Sequence, residues 1–227
     1  MNAYLHRSEN RGHVQAGWLD TYHSFSFGSW YNPKYMSVSA LRVINDDTIA
    51  AHNGFGAHPH DNMEILTCVL DGTISHKDSM GNEGQIHAGE WQLMSAGTGI
   101  THSEMNSHDN AVHLLQIWIQ PNVQNAEPTY QQIQLNPKHH PNQWHLIAGD
   151  SSAPMLIRQN AEVKTAMLEQ DQHVQITAQK KVNYVHIISG EVQIADHAVK
   201  AGDALVFDES ATVRALQDSQ IIWFDLP

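Results

Sequence analysis

The chain has 227 residues, of which 41% are hydrophobic, enough for a sizeable core and too many for a disordered protein. Its 12 Lys and Arg against 24 Asp and Glu give a net charge of −12. This charge argues against nucleic acids or anionic membranes as main partners, because both bind basic surfaces. We find no apolar stretch of a length that spans a membrane and no apolar secretion-signal core at the N-terminus. The single cysteine, Cys68, fits a reducing compartment, so we expect a cytoplasmic protein.

Short apolar segments rich in Val and Ile, bounded by Gly, Asn, Asp or Pro, recur along the chain and predict β-strands. In chain order they are 37–44, 64–70, 112–119, 184–188, 204–207 and 221–224. The first is expected to end at the turn-like sequence 45–47, and only 161–170 has a helix-favouring composition. Strands of this length and spacing are typical of an antiparallel sandwich or barrel, so the predicted fold class is all-β.

Two parts of the chain share a pattern. Asp-Gly at 71–72 is followed by Ala-Gly-Glu at 88–90, and Ser-Gly at 189–190 is followed by Ala-Gly-Asp at 201–203. In each, the first glycine is expected to open a hairpin and the second turn to lead into an apolar strand. The repetition predicts a duplicated β-domain with its boundary in the polar stretch 121–128. The predicted domains are therefore 1–125 and 126–227.

Histidine is unusually abundant, with 17 residues, and two short motifs place it where it can bind a metal. In His58-Pro59-His60 and His102-Ser103-Glu104, the first and third residues lie on the same face of a strand. Their alpha carbons are about 6.5 Å apart. If the two strands are neighbours, three imidazoles and one carboxylate converge inside a barrel. Such a set leaves positions open on a six-coordinate ion and suits iron, manganese, nickel or copper, whereas zinc is more often tetrahedral. Either motif alone also occurs by chance.

These motifs and their surroundings resemble those of the pirins, a branch of the cupin superfamily. The resemblance covers about the first 120 residues, and the remainder follows only the general cupin pattern. The bacterial subgroup whose members act as quercetin 2,3-dioxygenases is the most similar. The segments that carry the resemblance are GWLDTYHSFSF at 17–27, ALRVINDD at 40–47, GFGAHPH at 54–60 and SAGTGITHSE at 95–104.

The resemblance implies a bicupin fold, with two antiparallel double-stranded β-helix barrels facing each other and one metal in the N-terminal barrel. The implied metal ligands are His58, His60, His102 and Glu104. The implied ion is Fe(II), with Zn, Ni, Mn, Co or Cu as alternatives. The wider cupin pattern favours a glutamate four residues after the second histidine, which is Glu64 here. On a straight strand this residue lies about 13 Å from His60, so we prefer Glu104 and keep Glu64 as the alternative ligand.

The second predicted barrel lacks these ligands. Counting from the paired glycines places Ile176 and Ala178 opposite the first two histidines and Ala215 opposite His102. We therefore predict a degenerate C-terminal cupin domain that binds no metal. Three histidines of this half have no predicted role: His173, His186 and His197.

An aromatic cluster near the N-terminus has two interpretations. It can form a wall for a flat substrate, or it can pack against a sheet, which is the commoner use of aromatic side chains. Its members are Tyr22, Phe25, Phe27, Trp30 and Tyr31.

The resemblance implies an enzyme that opens the ring of a flavonol such as quercetin with O₂ and releases carbon monoxide. In this hypothesis Glu104 is also catalytic, as the base that accepts the proton of the flavonol 3-hydroxyl. Two alternatives stay open: a non-enzymatic, metal- or redox-dependent regulator that binds a transcriptional or metabolic protein, and an enzyme acting on another small molecule. We expect a monomer, because two cupins in one chain already supply the pairing that single cupins seek.

Overall fold

The recurring apolar segments form strands throughout the chain. The computed structural model describes residues 1–227 and contains 22 β-strands, two short 3-10 helices (Ser8–Asn10 and Pro137–His139) and no α-helix. No helix has the length and apolar character that a membrane crossing requires. The strands of the first half are β1 (Ala3–His6), β2 (Gly12–Gln15), β3 (Leu19–His23), β4 (Leu41–Ile49), β5 (Gly54–His60), β6 (Glu64–Asp71), β7 (Thr73–Asp78), β8 (Glu83–His87), β9 (Glu90–Ser95), β10 (Ile100–Met105) and β11 (Val112–Ile119). The strands of the second half are β12 (Thr129–Gln134), β13 (His145–Gly149), β14 (Met155–Leu156), β15 (Glu162–Leu168), β16 (His173–Ile176), β17 (Val182–Ser189), β18 (Glu191–Ile194), β19 (His197–Lys200), β20 (Ala204–Phe207), β21 (Ala211–Ala215) and β22 (Ser219–Leu226).

The first compact unit comprises residues 11–135 together with 157–159. It contains a seven-stranded antiparallel sheet in the order β12-β9-β6-β11-β4-β3-β2 and a four-stranded antiparallel sheet in the order β5-β10-β7-β8. Its core joins the two sheets, because Ile49, Val69 and Leu114 of the larger sheet pack with Ile74 and Ile86 of the smaller one. This is the two-sheet cupin architecture.

The second compact unit comprises residues 1–10, 136–156 and 160–227. It repeats the same plan, with a seven-stranded sheet in the order β1-β20-β17-β22-β15-β13-β14 and a four-stranded sheet in the order β16-β21-β18-β19. Its core is apolar throughout and includes Ile176, Ile194 and Val213 from the smaller sheet with Val185 and Ile221 from the larger one. The predicted all-β bicupin fold is confirmed by this duplication.

The units differ from the predicted ranges 1–125 and 126–227 because strand pairing crosses those limits. β1 pairs with β20 of the second unit, with Ala3 opposite Phe207. β12 pairs with β9 of the first unit, with Thr129 opposite Ser95. Each of these strands extends the edge of a sheet whose other members lie far away in sequence.

Two local predictions are wrong. Residues 161–170 contain a strand, β15, because hydrogen bonding to both β13 and β22 outweighs the helix propensity of its Ala, Lys, Glu and Met residues. The turn-like residues 45–47 lie inside β4, which is paired on both sides by β3 and β11. Gly72 and Gly190 each precede a hairpin as predicted, β7–β8 and β18–β19. Each glycine is also a corner with a positive φ (81° and 80°) through which the chain passes from the larger sheet to the smaller one.

The turn before β10 depends on a glycine. Gly97 has a φ of 48°, and a Cβ added to it would collide with the backbone carbonyl of Ala126. Gly97→Ala is expected to lower the free energy of unfolding by about 1–3 kcal/mol, because an L side chain there is strained as well as crowded. Urea unfolding measures the change.

The matched control is Gly84→Ala in β8, where φ is not left-handed and an added Cβ meets nothing within 4 Å. This control is expected to change stability by less than about 0.5 kcal/mol, as most exposed substitutions do. Equal free energies of unfolding for the two variants would show that the turn does not require a glycine at position 97.

Candidate metal centre

The three predicted histidine ligands meet on one face of the smaller sheet of the first unit. β5 and β10 are antiparallel neighbours, with His102 directly opposite His58 and His60 opposite Ile100. One ring nitrogen from each of His58, His60 and His102 lies within 4.8 Å of the others. The ring centroids are 4.5–4.9 Å apart. We refer to these three residues as the outer set.

Hydrogen bonding leaves ring nitrogens of this set available for a metal. Nδ1 of His58 donates to the carbonyl oxygen of Gly56 at 2.8 Å, which leaves the lone pair of Nε2 free. His102 is 2% exposed, and neither of its ring nitrogens has a hydrogen-bond partner. A buried imidazole with two unpaired nitrogens is unfavourable unless a ligand engages it, so the residues fit a metal ion.

The electrostatic environment favours the neutral imidazoles of His60 and His102. Burial, with the neighbouring His58 ring adding, lowers the pKa of His60 to about 4. Burial and the surrounding histidines lower the pKa of His102 to about 3. Neutral imidazole is the metal-binding form, so these side chains need no deprotonation at neutral pH.

Glu104 lies deeper in the barrel. Its carboxylate accepts hydrogen bonds from Nε2 of Gln116 at 2.8 Å and from Oγ1 of Thr67 at 3.3 Å. Burial raises its pKa. A carboxylate oxygen of Glu104 lies within 4.8 Å of ring nitrogens of His76 and His102, and these three residues form a second group that we call the inner set. Glu104 is therefore grouped with His102 but not with the complete outer set.

His76 was missed by the sequence analysis. It lies on β7 directly opposite Glu104 of β10 and is 1% exposed. A signal was present, because His76-Lys77-Asp78 repeats the spacing of the other two motifs and lies four residues after Gly72. The motif becomes informative only once β7 is known to pair with β10.

Glu64, the alternative ligand, lies away from the histidines. In β6, Ile65 lines the cavity beside the histidines and Thr67 hydrogen-bonds Glu104, so Glu64 faces the opposite side of the sheet. There its carboxylate accepts a hydrogen bond from Ser95 Oγ at 2.7 Å. The period of two in a strand thus separates it from the metal centre.

A cavity of about 220 Å³ opens beside the outer set. Its apolar wall comes from Phe27, Phe55, Ile65 and Trp118, and its other lining residues are Asn45, Asp47, Gln116, Glu104 and the three outer histidines. Of the predicted aromatic cluster only Phe27 lines this cavity; Phe25 is buried in the core, Tyr22 and Tyr31 are exposed, and Trp30 stacks on Tyr35.

Asp47 is a second buried carboxyl group that lines the cavity. It is 3% exposed, and burial, with the nearby Glu104 charge adding, raises its pKa to about 7. Thr21 on β3 lies opposite Asp47 and partly offsets this rise, although its hydroxyl makes no hydrogen bond of good geometry.

The second unit replaces the donors with apolar residues. His76 pairs with Glu104 four residues after Gly72, and Ile194 pairs with Val213 four residues after Gly190, so these two pairs correspond. Following the same registers, the counterparts of His58, His60 and His102 are Ile176, Ala178 and Ala211.

The prediction that Ala215 is the counterpart of His102 is wrong: the strand registers place Ala211, four residues earlier, at that position. His102 lies 13 residues after Gly89, whereas Ala211 lies only 9 after Gly202, because β20 and the following turn are shorter than β9 and its turn. The three histidines of this unit that had no predicted role lie on separate strands: His173 is exposed on β16, His186 is buried on β17, and His197 is partly buried on β19. None belongs to a group of three candidate ligands.

Comparison with known proteins agrees with this architecture. Residues 5–119 match the Pirin family profile, and residues 146–226 match the profile described as the quercetinase C-terminal cupin domain. The chain is 44% identical over 229 residues to the quercetin 2,3-dioxygenase of Escherichia coli K12, covering 99% of this chain and 98% of the relative. It is 36% identical over 220 residues to a pirin-like protein of Caulobacter vibrioides, covering 94% and 95% of the two chains.

The crystal structure of the bacterial pirin YhhW from Escherichia coli in complex with nickel(II) has the same fold. Its TM-score is 0.93 at 39% identity, and the match covers 100% of this chain and 99% of that one. The two cupin units, the histidine motifs and the agreement along the whole length have one explanation: the chain belongs to the pirin family.

Proposed function

We propose that this pirin is a metal-dependent dioxygenase that opens the ring of a flavonol such as quercetin with O₂ and releases carbon monoxide. The observation that carries the proposal is the meeting of three imidazoles at the wall of an aromatic cavity, with the buried carboxylate of Glu104 beside them. In the overall reaction one ring carbon leaves as carbon monoxide and both atoms of O₂ are retained by the products. The full-length relative from Escherichia coli is named for this activity.

The outer histidines, with Glu104, are the residues proposed to hold the ion. A divalent metal supplies Lewis acidity, which lowers the pKa of a hydroxyl bound to it. We propose Fe(II), with nickel, zinc, manganese, cobalt or copper as alternatives; nickel occupies the related YhhW structure. His58 is pre-oriented for this task by its hydrogen bond to Gly56.

Glu104 is proposed to accept the proton of the flavonol 3-hydroxyl. A carboxylate with a pKa raised by burial is a better base than one in water, and Gln116 and Thr67 hold it in place. Phe27, Phe55 and Trp118 offer aromatic surfaces against which a flat ring system packs and from which it displaces water.

The regulatory alternative has no comparable support. The relatives from Escherichia coli that match along the whole length are named as quercetin 2,3-dioxygenases. The cavity also offers room and apolar surface for a small aromatic molecule, which a purely protein-binding role does not require.

Loss of an outer ligand is expected to abolish both metal binding and activity. In His102→Ala, metal content after loading with Fe(II) and quercetin turnover in air should both fall by about 100-fold or more, because this histidine is shared by all donor groupings. His87→Ala removes an exposed histidine of β8 and is the matched control. A metal-free His102→Ala protein with full activity would refute the proposal.

Replacing the proposed base Glu104 with glutamine tests its role in proton transfer while keeping the packing of the side chain. Glu104→Gln keeps the size of the side chain and is expected to lower kcat for quercetin by about 10²–10⁴, the usual contribution of a general base. Carbon monoxide in the headspace, counted against quercetin consumed, measures the reaction. Undiminished carbon monoxide release by this variant would remove Glu104 from the mechanism.

The buried Asp47 makes stability depend on pH in a defined direction. Its pKa is about 7 in the fold against about 3.8 in the unfolded chain, so the folded state binds more protons between these values and stability falls as pH rises from about 4 to 7. Asp47→Asn is expected to reduce this fall by about 1–4 kcal/mol. Unfolding of metal-free protein at pH 4.5 and pH 8 tests the sign, with the exposed Asp109→Asn as control. An unchanged pH dependence in Asp47→Asn would contradict it.

A further inference from the structure

We propose that the inner set, His76, His102 and Glu104, is a second position for a divalent transition metal, adjacent to the outer set; the two positions share His102, and Glu104 is a proposed ligand at both. A single ion is held at one position or the other, because both need the same histidine. The inference concerns metal binding alone and does not depend on the proposed dioxygenase activity.

The geometry of two strand registers builds the inner set. His76 of β7 is directly opposite Glu104 of β10, and His102 lies two residues before Glu104 on the same face of β10. One donor atom from each residue lies within 4.8 Å of the others. All three side chains are at least 97% buried, whereas two of the three outer histidines are only partly buried.

A carboxylate lies beside the ring of His76. Its Nε2 donates to Oδ2 of Asp78 at 3.4 Å, which assigns the ring proton to Nε2 and leaves the lone pair on Nδ1. Asp78 is itself fixed by the backbone N–H groups of Met80 and Asn82 and by Nδ2 of Asn82. A carboxylate behind a histidine is the usual support of a metal-binding imidazole.

The free nitrogen of His76 indicates a missing ligand. Nδ1 is buried and has no hydrogen-bond partner. A structural role does not explain this cost, because the counterpart of His76 in the second unit is Ile194, which is fully buried in an apolar core. The fold accepts an aliphatic side chain at this place, so the histidine and its supporting aspartate fit a binding role.

The chemistry of the inner set suits a divalent transition ion. Two imidazoles and one carboxylate, with positions left open, are a common donor set for Fe(II) and zinc. His102 can serve either position because neither of its ring nitrogens has a partner. Glu104 already lies with the inner donors, so an ion there needs no displacement of the outer histidines.

The test removes the outer position and asks whether an ion is still bound. The double variant His58→Ala/His60→Ala lacks two outer donors and keeps the inner set intact. We expect it to bind about one equivalent of zinc or nickel with an affinity about 10–1,000-fold weaker than that of the unmodified chain. Metal content after gel filtration and titration calorimetry measure this, and the nitrogen hyperfine pattern of a Cu(II) probe reports two imidazoles.

Adding His76→Ile to the double variant is expected to abolish the remaining binding, whereas adding His87→Ala is expected to leave it unchanged. Isoleucine is chosen because Ile194 occupies the corresponding place in the second unit. Since His76 is buried, His76→Gln serves as a second variant, and circular dichroism identifies which of the two is folded.

Two results would overturn the inference. One is a folded double variant that binds less than about a tenth of an equivalent of either metal at a concentration roughly 10,000-fold above the Kd of the unmodified chain, where even a 1,000-fold weaker site is about 90% filled. The other is binding by the double variant that survives both His76 substitutions. Quercetin turnover plays no part in either result, so failure of the proposed function and failure of the inner position are distinguishable.

Discussion

The antiparallel register between β5 and β10 is the constraint on which the metal centre depends. It places His102 opposite His58, and the period of two along each strand then brings His60 to the same face. A slip of one residue in either strand would turn its donors to the other face of the sheet. The register also contains a β-bulge between His102 and Glu104, where β5 has one residue more than β10. Bulges of this kind redirect side chains near functional sites, and here the extra residue lies in β5 between Phe55 and His58.

Comparison with the second cupin unit indicates that the polar interior of the first unit lowers its stability. Both have a seven-stranded and a four-stranded sheet, yet Ile194 and Val213 in one correspond to His76 and Glu104 in the other. An interior of aliphatic side chains is therefore compatible with this fold. The buried imidazoles and carboxylates of the first unit lower its stability relative to such an interior, because desolvation opposes every charged form. The metal-binding role proposed above is a reason for their presence.

Much of the fold could be predicted because strand signals are local. The segments 112–119 and 204–207 coincide with β11 and β20, and the His-x-His motif indicated a metal centre without any knowledge of strand pairing. The errors share one physical origin, which is pairing between distant parts of the chain. β15 is a strand because two other strands bond to it, and β1 joins β20 across about 200 residues of sequence. His76 acquires significance only when β7 lies beside β10.

The turn-like sequence 45–47 shows why functional residues are the hardest to predict. Asn, Asp and Asp disfavour strands, and here they continue β4 into the cavity wall because β3 and β11 pair with it on both sides. Asn45 and Asp47 consequently face the cavity while Asp46, on the other face, is bonded to Arg11 and His113. A local preference is overruled at the place where polar groups are needed inside a barrel. Conflict between local propensity and observed structure is therefore itself a pointer to the site.

Glu104 lies between the two sets of donors, and its hydrogen bonds limit the role that its carboxylate can have in each set. Its carboxylate is held by Gln116 and Thr67, so movement toward the outer histidines requires those hydrogen bonds to lengthen or break. While it stays hydrogen-bonded, Glu104 is suited to receive a proton from a molecule in the cavity. When it binds an ion, the carboxylate donates a lone pair to the metal and becomes less basic. Ligand and base are thus competing roles for one side chain. In the inner position proposed above, His76 on the neighbouring strand would let an ion be held close to Glu104 without His58 and His60, because the register between β7 and β10 places His76 directly opposite Glu104.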